Sequence, residues 1–149
     1  MTGKGDREAN SQQVLPPGET RLSHLLVGLS PELDSEVYVF AQVLPHQLAQ
    51  LVLSPLGQFQ EAEGVTVVLT QAEAEAAQLP HAYPCRHITL TVQSNLAAVG
   101  LLATVTQALA AAGISVNAMS AYAHDHLFVP CDRADAAIAV LTALSEAAR

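Results

Sequence analysis

Charge is what this sequence has least of. Only 13% of its 149 residues are charged, and with 6 basic against 14 acidic side chains the formal net charge is -8. Past Arg21 the only basic residues are Arg86, Arg133 and Arg149, so a phosphate backbone would find no basic stripe, and nucleic acid is not expected as a partner. Cysteine is nearly as scarce. Cys85 and Cys131 cannot make a disulfide framework, and no CxxC or Cys/His ligand spacing accompanies them. Apolar runs are broken by Gln, Thr, Ser or Pro well short of the roughly eighteen residues that a membrane span requires. The opening MTGKGDREANSQQVLPPGE has no apolar segment behind its charges, so it does not read as a secretory signal. Catalytic signatures are missing too: there is no GxSxG, no P-loop, and no GxGxxG after a strand. What the chain has is apolar surface, 50% of its residues, enough to build a core. These features predict a cytoplasmic protein with a polar tail over residues 1–18 followed by a folded body.

The body begins with Thr20 placed to cap a helix in which Leu22, Leu25, Leu26 and Leu29 share a stripe, ended by Ser30-Pro31. From Glu36 to Val43 the residues alternate, with Val37, Val39, Ala41 and Val43 on one face and Tyr38 and Phe40 on the other, which predicts an interior strand covered on both sides. Pro45 opens a helix over 45–53 with Leu48, Leu51 and Val52 on its apolar edge. Residues 57–63 are ambiguous, whereas Val65 to Leu69 read as a strand. Thr70 and Glu73 form a capping-box pair for a helix that Pro80 stops. The segment PHAYPC, 80–85, reads as a linker.

Beyond it, Ile88, Leu90 and Val92 alternate with polar residues as a strand. Leu101, Leu102, Val105 and Leu109 stripe a helix over 97–112, and Gly113 sits where a left-handed cap is wanted. A strand from Ile114, a polar turn at His124 and Asp125, a strand over 126–130, and a helix capped by Asp132 complete the order β-α-β-β-α. That is the split βαβ, ferredoxin-like arrangement short of its last strand. The first half repeats the order. The fold class predicted is therefore α+β: two ferredoxin-like βαββαβ units, 19–80 and 84–149, with antiparallel sheets, helices on one face, and one unit's missing edge supplied by the other. The first and third strands of such a unit are neighbours, so Cys85 and Cys131 are expected close together, their Cα atoms within about 8 Å, as free thiols.

The stretch ITLTVQSNLAAVGLLATVTQALAAAGISVNAMSAY resembles an ACT domain, the small regulatory module of amino-acid-controlled enzymes and transcription regulators. Gly100 and Gly113 fall at that family's special backbone positions. QEAEGVTVVL, YPCRHITLTV and HDHLFVP are similar to a family of small stand-alone bacterial proteins built of two ACT-like units and, more distantly, to the tandem-ACT arginine sensors of animal growth signalling. The resemblance implies a regulatory protein without catalytic activity that binds a small molecule, an amino acid foremost, where one unit's β-α loop meets a neighbour, and that self-associates. The loop that matches is Gln93 to Leu101. Where many ACT loops carry an acidic residue and a Pro-Gly pair, this one has Ser94-Asn95 and Val99-Gly100, so the identity of the ligand does not carry over.

The residues of that loop make chemical sense as a site. A carboxylate would accept N–H bonds near Val99, Gly100 and Leu101 at the helix start, and Ser94 or Asn95 would hydrogen-bond the ligand. Asp125, Glu63 or a backbone carbonyl would face an ammonium. The blander readings are that Ser94 and Asn95 only cap the helix and that Gly100 only lets it pack closely. His124-Asp125-His126, with His87 nearby, invites a metal, but polar turns look the same and no third ligand has a fixed spacing, so no metal and no cofactor is expected. Glu61 and Glu63 read as a solvated edge rather than a catalytic pair. Two alternatives stay open beside the sensor: a structural oligomerisation module with no ligand, and a small hydrolase or lyase.

Overall fold

The computed structural model describes residues 15–149. In chain order the elements are α1 (Leu22–Val27), β1 (Pro31–Val43), α2 (Pro45–Leu48), β2 (Gly57–Glu61), β3 (Gly64–Thr70), α3 (Gln71–Ala76), β4 (His81–Leu90), α4 (Leu101–Ala111), β5 (Asn117–Ser120), β6 (Asp125–Pro130) and, after a 3-10 turn at Cys131–Arg133, α5 (Ala134–Ala147). The six strands form one antiparallel sheet in the order β2-β3-β1-β4-β6-β5.

That order settles how two incomplete units become complete. The first unit owns β1, β2 and β3 and borrows β4 as its fourth strand; the second owns β4, β5 and β6 and borrows β1. The borrowing needs β1 to be long, and at 13 residues it is. It pairs with β4 along most of its length (Pro31 with Leu90, Ala41 with His81) and with β3 over its second half (Tyr38 with Thr70, Val43 with Val65). Two register shifts bend the shared pair, one between Leu33 and Val37 and one between Tyr38 and Phe40. At the second, β4 carries the extra residue and Tyr83 takes a left-handed φ of 60°. Local excess of this kind increases twist and curls a sheet.

Alternation along β1 sorts its side chains as the sequence predicts. Val39, Ala41 and Val43 join Val65, Val67, Leu69 and Ala74 under α2 and α3. Farther along the same face a larger cluster forms: Leu25, Leu29, Ile88, Leu90, Val105, Leu109, Leu127, Val129 and Leu141 bring together α1, α4 and α5 over β4 and β6. α4 and α5 lie side by side on that face, as a two-layer sandwich requires. Each fully buried Leu contributes about 1.5–3 kcal/mol. Tyr38 and Phe40 point to the other face, where they meet Val68, Cys85, Phe128, Tyr83 and Met119. Every member of this third cluster sits on a strand, yet Val68, Cys85 and Phe128 are buried. The sheet buries them itself by curling until its two edges meet: a Cβ built on Gly57 of β2 would lie 3.6 Å from Sδ of Met119 on β5.

Several local expectations are corrected. Residues 81–85, expected as a linker, belong to β4; Pro84 is tolerated because it sits at the bulge, where no ladder N–H is required. Residues 15–18 are not free tail: Gln93 Nε2 donates to Pro16 O at 2.8 Å and the Tyr122 hydroxyl to Leu15 O at 3.2 Å. The rest of the predicted tail, 1–14, lies outside the described residues. Thr20 does not cap α1, and Asp132 does not cap α5. The helix predicted over 45–53 is only four residues long and Val52 is fully exposed. Only half of the Thr70/Glu73 box forms: the Thr70 hydroxyl accepts from Glu73 N, while the Glu73 carboxylate accepts from Ser54 N instead. Cys85 pairs in register with Pro130, one residue before Cys131, and both thiols are free.

Candidate functional site

The loop between β4 and α4 is where the sequence places the chemistry, and its shape follows from three local facts. Asn95 turns the chain on itself, its Oδ1 accepting from Ala97 N and its carbonyl from Ala98 N, both at 2.8 Å. Gly100 then takes a φ of 101°, which L side chains rarely adopt, and serves as the N-cap of α4. No side chain caps that helix, so its first N–H groups remain open with the positive end of the helix behind them. Ser94 and Asn95 therefore do not cap, and α4 starts at Leu101 rather than 97.

Opposite the helix start stands Asp125, the first residue of β6, 7% exposed. Its carboxylate accepts from Ser120 Oγ at 2.6 Å and from Ser94 Oγ at 3.4 Å. Between them lies a hollow of about 200 Å³ lined by Ser94, Asn95, Gly100, Leu101, Ser120 and Asp125 among others. Five of the seven residues predicted from the sequence are thus brought together. Val99 is not one of them, being 82% exposed on the outside of the loop. Neither is Glu63, exposed in the β2–β3 turn and no part of the lining. Ser120 was missed, although its position across the β5–β6 hairpin from Asp125 would have followed from closing the polar turn one residue tighter. Gly100 also does a second job: a Cβ there would come within 3.1 Å of Leu22 Cδ2, so its smallness seats α1 as well as shaping the loop.

A strap crosses the outside of the loop. Glu19 N donates to Gln93 O and Asn95 N to Glu19 O, both at 3.0 Å, a short parallel bridge centred on Ser94. Gly18 fits because a Cβ would collide with the backbone of 93–95. The Glu19 carboxylate is turned outward onto Arg21, whose guanidinium holds it well below the usual carboxylate range. Among the described residues no group of three or more His, Cys, Asp or Glu is placed to hold a metal ion, and no helix is long and apolar enough to cross a membrane.

Comparison with known proteins bears on the fold. ACT domain models match residues 17–86 and 82–143. No curated protein matches the sequence. Among solved structures, VC0802 from Vibrio cholerae, a protein of unknown function described as a possible transport protein, is 40% identical with a TM-score of 0.75, the match covering 83% of this chain and 95% of that one. The regulatory subunit of aspartate kinase from Thermus flavus, 13% identical, has a TM-score of 0.55 over 78% of this chain and 96% of its own. That from Thermus thermophilus, in ligand-free form and 14% identical, has a TM-score of 0.59 over 76% and 95%. At such identities the likeness to the kinase subunits is one of fold. With two units of the βαββαβ order, a glycine at the turn into α4 and family matches that together run from residue 17 to 143, this chain belongs to the ACT domain family and carries two ACT units in tandem.

Proposed function

We propose that this protein is a regulatory binding protein, without catalysis of its own, that holds a free amino acid in the hollow between the β4–α4 loop and the β5–β6 hairpin. One observation carries the reading: a nearly buried carboxylate, Asp125, faces an uncapped helix start across a space of about 200 Å³. A zwitterion of amino-acid size answers both ends, its ammonium on Asp125 and its carboxylate on the N–H groups that open α4. The Ser94 hydroxyl is close enough to join either. The likeness in fold to regulatory subunits of aspartate kinase supports a role in sensing rather than in chemistry. We read the units as 19–80 and 84–149, with the strap at 15–19 steadying the loop from outside.

Thermal shift against the common amino acids, each paired with its N-acetyl and its amide derivative, tests the reading. At least one free amino acid should raise the melting temperature while both of its derivatives fail to, because each derivative removes one of the two charges. Absence of any response at millimolar concentration would favour the structural-module reading, in which the hollow is only the seam between a loop and a hairpin.

A further inference from the structure

The curled face of the sheet holds a second, chemically different cavity, of about 210 Å³, between the two sheet edges. Leu56 and Gly57 lie on the β2 side and Met119 on the β5 side, with Phe128 and His126 as its floor. Behind that floor runs a line of polar groups. The Asp34 carboxylate accepts from the Tyr38 hydroxyl at 3.1 Å and stands 3.7 Å from His87 Nδ1, while His87 Nε2 lies 2.9 Å from His126 Nδ1. His87 is 5% exposed, lies beside the ring of Phe128 with centroids 5.2 Å apart, and meets His126 edge to edge.

The line has a direction. A lone pair on His87 Nδ1 would face the Asp34 carboxylate, so that nitrogen carries the proton; although 3.7 Å is long for a hydrogen bond, the N–H is attracted where a lone pair is repelled. His87 Nε2 is then an acceptor with one lone pair, which lies nearer to His126 Nδ1 at 2.9 Å than to the Thr89 hydroxyl at 3.4 Å. It must accept from His126 Nδ1–H, which leaves His126 Nε2 with a bare lone pair. Burial lowers the titration of both imidazoles, His126 further lowering that of His87, so the pair is neutral near pH 7.

We propose that this cavity is a binding site for a neutral aromatic molecule of one or two fused rings bearing an N–H or O–H that donates to His126 Nε2. The floor is aromatic and the thioether of Met119 is a favourable edge partner for a ring. The size suits it, since apolar cavities of about 150 Å³ already admit benzene. A net charge of -8 and an acceptor in the wall both act against anions. The cavity is separate from the amino-acid hollow, with Ser120 and Ala121 as the wall between them.

Titration of the whole protein with indole and with benzothiophene, followed by amide NMR, tests the proposal. Indole should perturb Leu56, Met119 and Phe128 and bind about five-fold more tightly than benzothiophene, which has its shape but no donor. Met119→Trp should abolish both by filling the cavity. His126→Phe keeps a ring but no acceptor, and should make the two affinities equal. The long-range nitrogen spectrum of the wild type needs no variant: it should show His87 protonated at Nδ1 and His126 protonated at Nδ1. Equal affinities in the wild type, perturbations confined to other residues, or a proton on His126 Nε2 would each overturn the proposal. Ser94→Ala, at a residue that lines the amino-acid hollow and not this cavity, should leave indole binding within two-fold, whatever becomes of the amino-acid site.

Discussion

The two units solve the same connection, from first strand to first helix, in opposite ways. In the N-terminal unit β1 runs to Val43 and α2 starts at Pro45, so there is almost no loop and the helix lasts only four residues. Its start is closed: Pro45 has no N–H to offer, and the Gln47 side chain takes the N–H of Leu44 at 3.0 Å. In the C-terminal unit residues 91–100 separate β4 from α4, the helix runs for eleven residues, and no side chain caps it. A shared fold therefore does not imply a shared site. The hollow exists where the connection is long enough to stand away from the sheet and where the helix is long enough to present an open, positively polarised end.

The largest test of this asymmetry concerns stability. Leu109→Ala in the core under α4 should cost about 2–5 kcal/mol in urea denaturation, and unfolding should stay a single transition, because each unit owns a strand of the other. Two separate transitions would mean that the units are not joined as described. For ligand affinity, Asp125→Asn should weaken the amino acid that responds in the thermal screen by about 1.5–3 kcal/mol, while Gln47→Ala, its counterpart at the closed helix start, should leave calorimetric affinity unchanged. Gly100→Ala should destabilise by about 1–3 kcal/mol through its strained φ and its approach to Leu22, with the spectrum of α1 shifted; an equally stable variant would remove the second role given to Gly100. Ser94→Ala should cost about 1 kcal/mol of binding and little stability.

The smallest effect distinguishes the two faces of the sheet. His87 is buried neutral with its titration lowered from the ordinary 6.5, by burial first and by His126 second. The unfolded chain therefore takes up the proton first as pH falls, so this contribution to stability is full above about 6.5 and is lost as pH drops from there toward the folded value. His87→Phe should flatten that slope in melts between pH 5 and 7.5, whereas Val105→Ala, in the core under the helices, should lower the melting temperature and leave the slope as it is.

Legibility in the sequence followed how local each cause was. The alternation of Tyr38 and Phe40 against Val39 and Ala41 exposed an interior strand, and two copies of one element order, each a strand short, pointed to the exchange. Ser94, Gly100 and Asp125 line one hollow because the first two share a loop and the third opens a strand whose place in the unit is fixed. Tyr83-Pro84 misled, since a bulge and a linker favour the same residues and only strand pairing distinguishes them. Glu63 was named for its chemistry alone, and its position in the β2–β3 turn depends on long-range pairing that composition does not encode. Val99 was named for its backbone N–H, and because α4 starts at Leu101 its side chain stands outside the hollow. In the line from Asp34 to His126, the sequence brought His87 and His126 together only as a possible metal pair, and Asp34 joins them from a third strand through pairing that no local pattern marks.

Synthesis on the ribosome meets the exchanged strands as a matter of timing. β1 emerges early, but one of its partners, β4, is made only after the whole of the first unit, and β4 in turn waits for β6. Until then the nascent chain shows the bare edge of an interior strand carrying Tyr38 and Phe40, the kind of apolar template on which chains aggregate. The few charges near it, Glu32, Asp34 and Glu36, lie along the stretch that waits longest, where mutual repulsion between neighbouring chains protects an edge that has not yet found its strand.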